Sequence, residues 1–189
     1  MNKLVFVILA VMLSTSCKKV IDAVDEFTKF NMPYETTVTI PGIANSFISD
    51  GTNIPKTPIS LDIPGFATNS SEYFANNKTS SELVENITLT DATLTLILPE
   101  GKDFSFLSSL EIYLSAEGLD EIMIAWNDSI SNDIGNELTL ETTENNLKAY
   151  IMKDTIAFKI DAVVQKFIGI DYEVKLNTNF LIDAKILGI

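Results

Sequence analysis

The chain has 189 residues, 46% of them hydrophobic, and carries 13 basic against 26 acidic side chains for a net charge of −13. Every basic residue is a lysine; there is no arginine, no histidine and a single cysteine. This balance disfavours nucleic acid, whose binding relies on cationic side chains against phosphates, and it excludes Ser-His-Asp triads, Cys-His pairs, histidine metal sites and internal disulfides.

The first residues read Met1-Asn2-Lys3, followed by an uninterrupted apolar run from Leu4 to Leu13 and then Ser14-Thr15-Ser16-Cys17. A short positive region, an apolar stretch and small residues before a cut site make a secretory signal. The run is far shorter than the roughly 20 apolar residues that a membrane-spanning helix needs. With the lone cysteine directly after the small residues, the stretch resembles a lipobox, the site cut by signal peptidase II in bacterial lipoproteins. Leu13 stands four residues before Cys17 and Ser14 three before it, the relaxed form seen in lipoproteins of the Bacteroidota. The resemblance implies that residues 1–16 are removed and that Cys17 becomes the lipid-carrying first residue. Acyl chains contribute about 0.8 kcal/mol per buried methylene, and stable anchoring takes more than one chain. Lys18 follows the cysteine where an aspartate would suggest retention at the inner membrane, so the outer membrane is the expected location, in either leaflet.

Residues 17–32 read as a lipidated tether or a short helix. Val20, Val24 and Phe27 recur at helical spacing, with Ala23 and Phe30 on an adjoining stripe. From residue 33 to 189 the chain reads as one domain, long enough to bury about 70% of its unfolded surface. Tyr34, Thr36, Val38 and Ile40 alternate with polar residues as a half-buried strand that Pro41-Gly42 should end. Ile59, Leu61 and Ile63 form a second strand, which Pro64-Gly65 should stop. Residues 66–80 are rich in Asn and Ser and read as loop; Thr79 and Glu82 have capping-box spacing, which predicts a helical turn over 82–86.

Ile87 and Leu89 then give way to Ala92, Leu94, Leu96 and Leu98, and this flip of apolar phase near Asp91 predicts a β-bulge or a break. Phe104, Phe106, Leu110, Ile112 and Leu114 share one parity and pair across Glu117-Gly118 with residues 121–126 as a hairpin. There Ile122, Ile124 and Trp126 oppose Met123 and Ala125, which predicts a strand covered on both faces. Residues 127–136 are a polar loop, Leu138 and Leu140 alternate with polar residues, and Leu147, Tyr150 and Ile151 suggest a short helix over 144–152. Strands over 156–164 and 172–186 complete the chain. The last would span roughly 50 Å at about 3.3 Å per residue, so it should curve or break near Asn177-Thr178-Asn179. The expected fold is all-β: a two-sheet antiparallel β-sandwich of about eight strands with two short helical insertions, or alternatively a closed β-barrel.

Four sets of residues are candidate sites. The loop after Trp126 offers Asp128, Asp133 and Glu137 as calcium ligands, although Asn, Asp and Ser also populate loops because they satisfy turns. Asp128-Ser129-Ile130 and Asp154-Thr155-Ile156 resemble the Asp-Ser/Thr-apolar glycosylation sites of exported Bacteroidota proteins, with Ser129 the better placed. Trp126 and Tyr113 are candidate aromatic platforms for sugars, and the parity of Tyr113 points it outward. Phe158, Phe180 and Leu96 would line a cavity between the sheets if the protein carried an apolar ligand.

The chain beyond its leader resembles Bacteroidota β-sandwich lipoproteins in general architecture, and the resemblance carries no catalytic residue. The expected function is a lipid-anchored, non-catalytic binding or scaffolding module of the cell envelope. It attaches to the membrane through Cys17, has no cofactor and no nucleic acid, and takes a protein, glycan or lipid ligand. An apolar-ligand or lipid carrier and a carboxylate- or metal-dependent hydrolase are the alternatives.

Overall fold

The computed structural model describes residues 29–42 and 57–185. They form nine strands: β1 (Lys29–Ile40), β2 (Thr57–Ala67), β3 (Val84–Leu98), β4 (Leu107–Ala116), β5 (Ile122–Asn127), β6 (Glu137–Thr139), β7 (Glu141–Thr142), β8 (Thr155–Val164) and β9 (Tyr172–Ala184). Two short helices, α1 (Ser70–Asn76) and α2 (Lys148–Ile151), are inserted between them. The strands make two antiparallel sheets, one in the order β1-β9-β3-β6 and one in the order β2-β8-β4-β5-β7. The fold is a β-sandwich; β1 and β2 are sheet edges, so neither sheet closes into the alternative barrel. Cys17 and the leader lie outside the described residues. Among the described residues no helix is long and apolar enough to cross a membrane.

Period-2 alternation builds both layers. In β9 every even residue from Tyr172 to Ala184 is buried, and every odd one faces outward. The opposing sheet buries Ile156, Phe158, Ile160, Ala162 and Val164 of β8 and Leu110, Ile112 and Leu114 of β4. Each such side chain withdrawn from water contributes roughly 1.5–3 kcal/mol. Rings knit the two layers. Tyr34 of β1 packs against Phe180 at 5.6 Å and against Phe66 of the opposing sheet at 5.5 Å, and Phe66 meets Phe158 at 5.5 Å. The Tyr34 hydroxyl donates to the Thr68 carbonyl at 2.6 Å. One side of the sandwich is closed by a single segment: β6 pairs with β3, Leu140 is buried and donates from its backbone N–H to Ala92, and β7 then pairs with β5.

Several expectations are corrected here. The first strand begins at Lys29, not after Pro33, and Met32 is fully buried. Proline is tolerated because β1 is an edge strand, where a missing N–H can face outward. Pro64-Gly65 does not stop β2; the register slips between Ile63 and Phe66, and this bulge carries the strand on while moving its inward side chains from odd to even positions. A Cβ on Gly65 would stand 2.8 Å from a Thr155 methyl, so a larger residue at this bend would require Thr155 to move. The helix in this region is α1, held by the buried Phe74, not a turn over 82–86. The Thr79 hydroxyl donates to the Lys185 carbonyl instead of capping a helix. α2 is shorter than the 144–152 span expected.

The bulge expected near Asp91 is present, with Leu89 opposite Phe180 and Asp91 opposite Asn179. β9 runs unbroken past Asn177–Asn179, and its long partner β3 absorbs the curvature through three register shifts. In the hairpin, Ile112 faces Ala125 while Tyr113 faces Met123, leaving Ile124 as an extra, fully buried residue. β5 does lie inside its sheet, between β4 and β7, but this bulge, rather than cover on both faces, accounts for its double apolar parity.

Candidate functional site

The outward residues of the five-stranded sheet line up in rungs across the strands. Ser60 of β2 faces Asp161 of β8, which faces Glu111 of β4, which faces Trp126 of β5, which faces Glu141 of β7. The next rung holds Asp62, Lys159, Tyr113 and Met123. At about 4.8 Å between strands, the first rung is about 19 Å long. Residues directly opposite in an antiparallel pair share a face and lie within reach of one another.

A connected set of polar contacts organises this face. The Ser60 hydroxyl donates to Asp161 at 2.5 Å, and the Tyr113 hydroxyl donates to Glu111 at 2.5 Å. The Lys159 ammonium pairs with the Glu121 carboxylate and lies 3.3 Å from Asp161. It also stands 4.5 Å from the centroid of the Tyr113 ring, a cation–π contact. The hydrogen bond to the Glu111 carboxylate, then burial, hold the Tyr113 phenol above its ordinary pKa. The bond to Glu121 holds the Lys159 ammonium above its own. Glu111 and Asp161 would repel across the strands, and the two hydroxyl donors and Lys159 offset that repulsion. Beside them lies an open groove of about 440 Å³ lined by Pro58, Ile59, Ser60, Ser109, Glu111, Asp161, Ala162 and Val163.

Tyr113 and Trp126 are thus half-buried on the outer surface of one sheet, and the structure brings them together with Glu111, Asp161, Lys159 and Glu141. Sequence parity indicated the outward direction of Tyr113. It placed Trp126 with Ile122 and Ile124, because the bulge at Ile124 is invisible as alternation. Glu111, Asp161 and Glu141 were unremarkable among 26 acids, and no pattern short of the register could gather them.

The other candidates are dispersed. Asp128 and Asp133 are exposed in the loop after β5, while Glu137 opens β6 opposite Thr95 in the other sheet. The Asn127 side chain accepts from the Ser129 N–H at 3.0 Å, and the Ser131 hydroxyl accepts from the Asp133 N–H at 3.2 Å, both ordinary turn bonds. Among the described residues no three acidic side chains gather as a metal ion would require. Ser129 is exposed, and Thr155 is exposed at the start of β8. Phe158, Phe180 and Leu96 are buried, and the rings of Phe158 and Phe180 pack on Phe66 and Tyr34.

A second surface lies at the end of the sandwich opposite Lys29. Leu98 sits there opposite Glu173, next to the residue pair Ile40–Tyr172. Ile97, Leu98, Phe167 and Ile170 are exposed there, with Ile170 56% accessible.

No protein family matches this chain, and no curated protein does. Solved structures similar to parts of it include the decameric BFDV capsid protein, at 12% identity over 82% of this chain and 98% of that one with a TM-score of 0.37. A structure of carbohydrate-binding modules from the β-sandwich superfamily matches at 12% identity over 83% of this chain and 55% of that one, with a TM-score of 0.26. Desmodium yellow mottle tymovirus matches at 7% identity over 85% of each chain, with a TM-score of 0.20.

Proposed function

We propose that this chain is a lipid-anchored module of a bacterial cell envelope, held by acyl chains on Cys17, that binds through the outer face of its five-stranded sheet and performs no catalysis. The observation that carries the binding role is the rung Ser60–Asp161–Glu111–Trp126–Glu141 with Tyr113 beside it. Rings and carboxylates side by side on an open sheet offer both apolar contact and hydrogen-bond acceptors, the mixture found at recognition surfaces. The absence of histidine and arginine from the sequence removes the commonest general base and the bidentate anion clamp, which supports binding over hydrolysis. The ring packing of Phe158 and Phe180 supports a surface site over a lipid-filled interior.

Two measurements test this reading. Intact mass of the membrane fraction from a bacterial host should show a species beginning at a triacylated Cys17, lost in Cys17→Ser; an unmodified soluble product would remove the anchor. Hydrogen exchange of the full chain on purified cell envelopes, against the same chain in detergent, should show added protection in β4, β5 and β8. Protection confined to other strands would remove the binding face.

A further inference from the structure

The outer face of the five-stranded sheet carries two aromatic rings near carboxylates, and among the described residues only Tyr113 has a cation over its ring. The Lys159 ammonium lies 4.5 Å from the Tyr113 ring centroid and is itself paired with the carboxylates of Glu121 and Asp161. Trp126 has Glu111 on one neighbouring strand and Glu141 on the other, each directly opposite it in register. No lysine stands on β4, β5 or β7. Tryptophan is the strongest of the aromatic cation acceptors, and at Trp126 the two cross-strand neighbours are both carboxylates, whereas those of Tyr113 are Lys159 and Met123.

We propose that the Trp126 site takes a cation from outside: a lysine or arginine side chain of a basic segment of a partner protein, lying across β4, β5 and β7. The proposal rests on the reading that this face is a binding surface and names the chemistry of its ligand. Charge complementarity is its main argument. Among the described residues the face presents Asp62, Asp161, Glu111, Glu121 and Glu141 against Lys159, on a chain of net charge −13. A neutral ligand leaves that excess uncompensated, whereas each ammonium or guanidinium delivered to Trp126 offsets part of it. Charge of this kind also speeds encounter, and salt weakens both effects.

Trp126 is the sole tryptophan, so intrinsic fluorescence of the full chain in detergent micelles reports this site alone. The probes are the peptides acetyl-Lys-Gly-Lys-Gly-Lys-amide and its arginine counterpart, with the glutamine version as the uncharged control and a neutral hexasaccharide, cellohexaose, as the competing class. The expected result is a saturable change in Trp126 emission with the cationic peptides only, weakened several-fold by 0.5 M salt. Affinity should fall about tenfold in the double variant Glu111→Gln/Glu141→Gln, where two charge contacts and their support of the cation–π contact are lost. Glu72→Gln, the same charge change on α1, should leave binding unaltered, and the far-ultraviolet spectrum checks that each variant is folded. Cationic peptides that leave the emission unchanged, or that bind the double variant as tightly, overturn the proposal. A response to cellohexaose alone overturns it while leaving the face a binding surface.

Discussion

The two outer faces of the sandwich are made by the same alternation and differ in what the alternation carries. The four-stranded sheet shows water a field of Thr and Asn, in which Asn179 donates to the Thr90 hydroxyl at 3.3 Å, with paired charges: Lys175 with Glu35 at 3.4 Å and Lys29 with Asp183 at 3.9 Å. Its shallow groove of about 400 Å³ is lined by Pro33, Tyr34, Glu35, Asp91, Asn177, Thr178 and Asn179. The five-stranded sheet instead carries Trp126 and Tyr113 among carboxylates that outnumber their one lysine. Both faces satisfy folding equally, since outward positions need only be compatible with a pleated strand. A face that carries half-buried aromatic rings and directly opposed carboxylates differs from its partner in more than folding requires, and the proposed binding role rests on that difference.

That contrast can be broken at several depths. The largest effect lies beneath both faces. Phe158→Ala under the five-stranded sheet and Phe180→Ala under the four-stranded one should each cost about 3–5 kcal/mol in urea unfolding, because each ring is almost wholly buried. A loss below about 1 kcal/mol for either would mean that the two faces do not rest on one close-packed core.

Next comes the link between the sheets. Tyr34→Phe removes the bond to the Thr68 carbonyl and should cost about 1–2 kcal/mol. Burial, followed by the influence of Tyr73, holds the Tyr34 phenol well above its ordinary range. The unfolded chain therefore ionises this tyrosine near pH 10 while the folded chain keeps it neutral. Stability is undiminished below about pH 10 and falls as pH rises through the folded value. In Tyr34→Phe the alkaline decline measured by circular dichroism should be shallower; an identical decline would assign the alkaline loss to other groups.

Smaller effects separate the faces themselves. Glu111→Gln removes one of two opposed carboxylates and the anionic acceptor of the Tyr113 hydroxyl. Stability should hold or rise by a few tenths of a kcal/mol, roughly, as like charges facing across strands are relieved. The Tyr113 phenol should also ionise at lower pH in a spectrophotometric titration, since the bond to Glu111 is the largest cause of its elevation. A loss above about 1 kcal/mol would make the rung a stabilising element and not a recognition surface. Smallest is Glu35→Gln on the four-stranded face. Its pair with Lys175 is exposed, so the cost should be below about 0.5 kcal/mol and vanish in high salt.

Much of the fold was legible before any coordinates. The even phase of β9, the alternation of β8 and the Glu117-Gly118 hairpin each rest on local periodicity. So does the bulge at Asp91, because a bulge moves the apolar set from one parity to the other. Where a break was filled by Pro64-Gly65 the same signal misled: breaker residues read as an end when the strand was bent and continued. The helix at α1 was missed because its short span holds few apolar residues, and Phe74 is buried by tertiary packing rather than by an amphipathic repeat. The candidate site was less legible still. Tyr113 alone was recognisably outward; Trp126 was hidden by the extra residue Ile124, and its carboxylate neighbours Glu111 and Glu141 come from other strands on either side of it in sequence.

What the sequence determined by itself is therefore what depends on near neighbours: strand period, most turns, the all-β class, and the chemistry excluded by lacking histidine and arginine. These follow from residue type and spacing, which act within a few positions along the chain. The tertiary structure alone decided the register, and with it the rung that sets Trp126 between Glu111 and Glu141. Register depends on how the buried faces of distant strands interlock. A slip of one residue would turn every side chain to the opposite face, so the outward pattern is a consequence of packing on the inward one.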